Sequence, residues 1–451
     1  TPFVGSNLKY IRECNFKGNA IAYGTFRSSN LVKVGTITCS GSNVWWSSES
    51  LFQNSKNLEE VECINMTGAN STTNWFASCP KLKRVGTVNV NAKNINQMYA
   101  YCPQLTELAL PTLTNLERMS GFVRGCTSLT ELHLEEITEN TPLEYMDWAF
   151  ADCSSLTTIT IGGNNLPAKL VAMNSAYQNC SKLTNLPPLP TDFENKCTMN
   201  SCCRGCTSLT DDAIYKTLPY NVNNMNYIYY GCHGLINPSI VVNSDRTDAQ
   251  YSFSSCANMT SLRVEFNGTY AYGFREFAYN CGELKDVYVK FPYSLYFNDD
   301  SQTCTESPRM FAYCKKLINV ELDMTRLESK ADFASMFRQD KYIESIKGFD
   351  LSNLHRDDKR PNDAAQYFTY DTSFEFMKDW VFAKDEEGNT KQLTNSYRMN
   401  NLELVPSATL NSLMDGLGTV QSETLTLGQA TLNRLSEIQI ADAVAKGWTL
   451  A

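Results

Sequence analysis

The chain has 451 residues and a formal charge of −9, a balance that lacks the basic footprint of a nucleic-acid or anionic-lipid binder. No apolar run approaches the ~20 residues needed to span a bilayer, so direct membrane insertion is excluded as well. Charged residues make up only 19% and aromatic residues 11%, with Asn, Ser and Thr abundant, which reads as an ordered, neutral-polar exterior of extracellular type. The opening TPFVGSNLKY carries neither a methionine nor the basic and apolar regions of a signal peptide. It reads as a mature chain from which an export signal or anchor has been removed.

In chain order, the first recurring segments are FVGSNL, FRSSNL and FQNSKNLEEV, which place Ser6, Ser29 and Ser55 at one position. Between the last two lies SNVWWSSES. Its paired Trp45 and Trp46 are read in two ways, as filler of an early core or as an exposed platform for a sugar or a protein contact. From FASCPKLKRV onward a cysteine takes the same position: Cys79, Cys102, Cys126, Cys153, Cys180, Cys206, Cys232, Cys256, Cys281 and Cys314. Successive anchors are mostly 23 to 27 residues apart, with one step of 33, and the hexapeptide GCTSLT is written twice, at 125 and at 205. Asp340 closes the series in FRQDKYIESI.

The shared form is an aromatic or apolar residue, two residues, the anchor, two residues, then Leu-x-x-Leu-x-Leu. A period in the twenties with such a segment predicts a leucine-rich repeat solenoid, an α/β right-handed superhelix of about 14 coils with one parallel strand per coil. Alternation within the strand turns Leu132 and Leu134 inward and Glu131, His133 and Glu135 outward, with the same reading for Leu108 with Leu110 and Val320 with Leu322. Segments before the anchors, such as EYMDWAFADC and ADFASMFRQD, have apolar residues at near-helical spacing and predict short helical or irregular segments behind the sheet. The ten anchor cysteines are expected to stack as an interior ladder of small thiols. Cys197 or Cys304, in variable loops, is left as a candidate for an isolated bridge.

The array is expected to occupy residues 1–350, with 351–400 an irregular or degenerate repeat carrying an insertion and 401–451 a C-terminal capping segment. In the last of these a helix is predicted at 408–417, a strand at 424–428, and a final helix started by a capping box of Ser436 with Gln439.

The Cys-x-x-Leu-x-x-Leu-x-Leu register resembles the BspA-like leucine-rich repeats of gut and oral bacteria and their prophages, over most of the chain. That resemblance implies an exported or surface-displayed protein associated with adhesion, and it brings no catalytic motif. Nor do the residues supply one. The histidines are His133, His233 and His355, and no nucleophile elbow accompanies them. Cys202, Cys203 and Cys206 lie close in sequence but are read as pointing different ways and not as a zinc cluster, and the acidic runs at Asp299–Asp300 and Asp385–Glu387 lack the ligand order of a calcium loop. No cofactor or metal is called for.

The functional expectation is therefore a non-enzymatic cell-surface or extracellular repeat protein binding a protein or glycan on a host or neighbouring cell. Alternatives are a bacteriophage tail-associated receptor-contacting protein and a carbohydrate-binding module, the latter if Trp45, Trp46 or Trp75 is exposed. Outward strand positions form the candidate surface: Glu60, Arg84, Glu107, Thr158, Asp286 and Glu321, with Trp45, Trp46, Glu131, His133, Arg263 and Tyr288 as the candidate partner-binding residues.

Overall fold

The computed structural model describes residues 3–17, 23–40, 49–271, 273–295, 305–306, 309–328, 331–333, 335–354 and 374–451. The chain winds as a parallel-strand solenoid of about 16 turns with little helix, and it divides into two compact units, residues 1–215 and 216–451.

In the first unit, β1 (Tyr10–Phe16), β2 (Lys33–Cys39), β3 (Glu60–Asn65) and β4 (Arg84–Asn89) pair in parallel and in sequence order. Tyr10, Lys33, Glu60 and Arg84 stand in one register row, while Val34, Val61 and Val85 in the next row are buried. The two-residue side-chain period thus keeps one face apolar through every coil. The next coil is weaker. Leu108 and Leu110 are only half-buried, and the strand there shrinks to a single bridge from Arg84 to Glu107. Ala109 gives its carbonyl to Tyr99 Oη at 2.6 Å, and Pro111 has no N–H to continue a ladder. Pairing resumes between β5 (Glu131–Leu134) and β6 (Thr158–Ile161), with Leu132, Leu134 and Ile159 inward.

The second unit carries a seven-stranded parallel sheet, again in chain order: β7 (Thr217–Leu218), β8 (Ser239–Val242), β9 (Ser261–Phe266), β10 (Asp286–Lys290), β11 (Asn319–Asp323), β12 (Ser345–Phe349) and β13 (Asp379–Phe382). Between β13 and the C-terminal segment, Lys384 and Thr390 make an antiparallel bridge around a turn with Gly388 at φ 82°. The last segment continues the winding with helices on its back: β14 (Tyr397–Arg398), α1 (Ser407–Asp415), β15 (Glu423–Thr426), α2 (Gln429–Leu432), α3 (Glu437–Ala445) and β16 (Trp448–Leu450). Ser436 and Gln439 form the expected capping box at the start of α3. Arg434 ties this part down by donating to the carbonyls of Leu402, Glu403 and Val405 at 2.8 to 3.0 Å.

The segments before the anchors are hydrogen-bonded turns and not α-helices; among the described residues no α-helix precedes α1. In the coil of Cys153 the N–H groups of Met146, Trp148, Phe150 and Asp152 donate to the next coil at 2.7 to 2.9 Å, while those of Ala149, Ala151 and Cys153 bond back three residues. An α-helix would consume every N–H internally. Here half of them are spent on the neighbouring coil, which a helix cannot do. The alternation requires left-handed backbone five residues and one residue before the anchor, at Trp148 (φ 58°) and Asp152 (φ 63°). The same two positions are left-handed before each anchor from Ser29 to Asp340. This explains the opening glycine of both GCTSLT copies, Gly125 and Gly205, at φ 74° and 72°.

The anchors form the expected buried column. Cys79 Sγ donates to Phe52 O at 3.2 Å, Cys102 to Phe76 O at 3.0 Å, Cys126 to Tyr99 O at 3.1 Å, Cys153 to Val123 O at 3.1 Å and Cys180 to Phe150 O at 3.0 Å. Each acceptor lies three residues before the preceding anchor. Ser55 does the same with its hydroxyl toward Phe26 O at 3.1 Å. Each described cysteine is a thiol outside any disulfide, the buried Cys197 included; Cys304 lies outside the described residues. Burial pushes the thiols of Cys102 and Cys153 up to about 12, so thiolate is scarce at neutral pH. We expect iodoacetamide at pH 7 to leave Cys79, Cys102, Cys126, Cys153 and Cys180 unmodified in the native protein and to label them all in guanidinium, as read by peptide mass spectrometry. Rapid native labelling of these sites would mean that the column opens.

Candidate functional site

The sheet of the second unit presents its outward side chains as a grid. Arg263, Tyr288, Glu321 and Lys347 share one register row, and Ser261, Asp286, Asn319 and Ser345 share the row beside it. Their inward neighbours Leu262, Val287, Val320 and Ile346 are buried, so the grid is fixed from beneath by the core. These residues border an open depression of about 300 Å³.

Four of the residues singled out by the sequence, Arg263, Tyr288, Asp286 and Glu321, border this depression, and the first two are in contact. The Arg263 guanidinium lies over the Tyr288 ring, 3.8 Å from its centroid, and Nη2 donates to Glu265 Oε1 at 2.6 Å. An exposed cation–π contact and a surface ion pair each contribute about 1 kcal/mol or less. Their larger effect is to hold a long side chain flat in one rotamer before any partner arrives. Burial first, and then the Asp323 carboxylate, push the Tyr288 phenol above its ordinary range, so it remains a neutral hydrogen-bonding group. In the adjoining row Asn319 Nδ2 donates to Asp286 Oδ1 at 2.6 Å. Lys347, which the sequence reading did not single out, stands beside Glu321; its place on an alternating strand was the available signal.

Glu131 and His133 lie on the strand face of the first unit. His133 Nδ1 is 3.0 Å from Thr160 Oγ1, which donates to Glu135 Oε1 at 2.8 Å, and His133 Nε2 is 3.6 Å from Glu131 Oε2. The His-Thr pair superficially suggests an activated hydroxyl. The Thr160 proton is already directed at Glu135, however, and the His133 and Glu131 side chains are 58% and 63% exposed, so the group is a solvated polar ladder. Further along this face the charges alternate: Lys33 pairs with Glu60 at 3.1 Å, Glu60 with Arg84 at 3.0 Å, and Arg84 with Glu107 at 3.2 Å. The cations on both sides hold the Glu60 carboxyl below its usual range. Lys33, Glu60, Arg84 and Glu107 thus form a charge-balanced strip.

Trp45 and Trp46 lie outside the described residues. Trp75 is fully buried, wedged edge-on to Phe76 with ring centroids 6.4 Å apart, which removes it as an exposed sugar platform. Among the described residues no helix is long and apolar enough to cross a membrane.

A family model described as BspA type leucine rich repeat region matches six copies over residues 19–142, 96–225 and 174–299. No curated protein matches the chain. Among solved structures it is similar to a leucine-rich repeat protein from Bacteroides ovatus, at 14% identity over 92% of each chain with a TM-score of 0.35. It is also similar to the plant peptide hormone receptor RGFR1 in complex with RGF2, at 12% identity over 98% of this chain and 79% of that one, with a TM-score of 0.15. With its repeated anchors, parallel strands and a match extending over more than half its length, the chain belongs to the BspA type leucine-rich repeat family.

Proposed function

We propose that the chain is a non-enzymatic, extracellular or cell-surface binding scaffold whose strand face engages a protein on a host or neighbouring cell. The observation that carries this reading is the stacked pair Arg263 and Tyr288 at the edge of the depression in the second unit. Arg and Tyr are enriched among the residues that dominate protein interfaces, and this pair is held in place without a ligand. Around it acidic, basic and amide groups alternate, a pattern that suits a mixed polar protein surface better than a nucleic acid or a lipid headgroup.

The test is binding of the full chain to a panel of purified host matrix proteins at moderate salt. Saturable binding to one of them is expected, weakened at least tenfold in Arg263→Ala and in Tyr288→Ala, with the thermal unfolding midpoint nearly unchanged because both side chains are outside the core. Binding that both substitutions leave intact, or no binding across the panel, would remove the strand face of the second unit from this role.

A further inference from the structure

A second site lies in the first unit, away from the strand face, on the turns that precede the anchors. Because the residues five and one before each anchor are left-handed, their side chains form two columns along the coils. In the column five before, Gln97, Gly121 and Trp148 follow one another; in the column one before, Tyr101, Gly125 and Asp152 do. Both columns therefore have a gap in the same coil. The result is a cleft of about 120 Å³ bordered by Gln97, Tyr101, Ser120, Arg124, Asp147 and Trp148, with Gly121 at its base.

The backbone does not demand this double glycine. Ser, Asn, Gln, Trp, Tyr and Asp take the same left-handed positions in other coils of the unit, and among the described residues this is the only coil with glycine at both. A Cβ on Gly121 would come within 3.1 Å of Gln97 Cγ, and one on Gly125 within 3.0 Å of Tyr101 Cδ1. The absent side chain of Gly121 leaves room in the cleft itself, and that of Gly125 leaves room behind its Tyr101 wall.

What borders the space limits its ligand. The Arg124 guanidinium lies over Trp148, 4.2 Å from its ring centroid, with Tyr101 5.6 Å away on its other contact. Only its Nε is paired, with Asp152 Oδ2 at 3.4 Å, so the terminal nitrogens remain as donors among the described residues. Asp147 Oδ1 accepts the Asn174 N–H at 2.8 Å, which leaves Oδ2 as an acceptor. Tyr101 is 45% exposed. A cationic ligand would meet Arg124, and an anionic one would meet Asp147 and Asp152. A neutral ligand that both donates and accepts, with a ring-sized apolar face for the aromatic walls, conflicts with neither. The space is well under the ~300 Å³ of a drug-sized pocket and suits one sugar ring.

We propose that this cleft binds a single neutral pyranose unit of a glycan, its hydroxyls shared between Arg124 and Asp147 and its ring against Trp148 and Tyr101. The full chain is titrated with maltotriose, cellotriose, mannotriose, β-galactotriose and chitotriose, and with trigalacturonate as the acidic counterpart, up to about 20 mM. Binding is followed by calorimetry and tryptophan fluorescence. At least one neutral trisaccharide is expected to saturate, with affinity reduced tenfold or more in Gly121→Ser/Gly125→Asn, which installs side chains other coils already carry there. Tyr101→Ala, which removes an exposed wall, is expected to show the same loss and serves if the filled variant does not fold. Saturation by trigalacturonate alone, no saturation by any neutral sugar, or neutral-sugar binding unchanged in the folded variants would each overturn the proposal.

Discussion

Phe76→Ala is expected to lower the stability of the first unit by about 3–5 kcal/mol, the usual range for deleting a buried phenyl ring. Phe76 is fully buried, stacked on Phe52 at 5.5 Å and on Tyr99 at 5.2 Å between centroids, and Phe52 in turn stacks on Phe26 at 5.3 Å. Each of these rings sits three residues before its anchor, and its carbonyl receives the thiol or hydroxyl of the next coil for Phe26, Phe52, Phe76 and Tyr99. Loss of the Phe76 ring removes three ring contacts, with Phe52, Trp75 and Tyr99, and loosens the carbonyl to which Cys102 donates. Urea denaturation measures the effect. Because a solenoid coil contacts only its neighbours, Phe52→Ala and Phe76→Ala should be non-additive, while Phe76→Ala and Phe150→Ala should add. A loss below about 1 kcal/mol would show that the coil collapses around the gap at little cost.

Asp340→Cys should act in the opposite direction, stabilising the second unit by about 1–3 kcal/mol at pH 7, the cost of a buried polar group without adequate partners. Asp340 holds the anchor position but is fully buried, and neither carboxyl oxygen has a hydrogen bond in the geometry of the described residues. Burial pushes its carboxyl well above the usual carboxylate range, and the Cys314 backbone offsets only part of this. The folded form therefore holds its proton more tightly than the unfolded chain, where an Asp titrates near ~3.9. Stability tied to that proton is complete below the unfolded value and is lost as pH rises toward the folded one. The advantage of Asp340→Cys should thus be largest at neutral pH and shrink toward about pH 4. A thiol there would also be placed to donate to Phe311 O, as Cys314 does to Ala278 O at 3.0 Å. A stability difference independent of pH between 4 and 7 would contradict the assignment.

The anchor register and the strand alternation were readable because both are spacings, and spacing is what a sequence displays. Arg263 and Tyr288 were readable as outward residues on the same ground, although their stacking depends on which strands are adjacent and in what register. Of the two forms expected for the segments before the anchors, helical or irregular, the structure takes the second: Ala149, Phe150 and Met146 do have helical spacing, but periodicity does not reveal where an N–H is spent. A correcting signal was present: Gly125, Asn179, Gly205, Gly231 and Asn280, each immediately before a cysteine, are the residue types that most readily accept left-handed backbone, and their recurrence there argues against a continuing helix. Trp75 was open to misreading because its neighbours Thr72, Thr73 and Asn74 are polar, yet Thr72 is itself buried. The cleft at Gly121 could not be read at all, since a gap has meaning only beside the side chains that surround it.

The anchor column also bears on where this fold can be made and kept. A chain held by disulfides depends on an oxidising compartment and on enzymes that sort the pairings. Here each described anchor thiol is used as a hydrogen-bond donor or small core group in its unoxidised state, so nothing in the column has to be oxidised for the coils to close. Ambient reductants have no bond to break there, and the folded array should be equally stable with and without dithiothreitol.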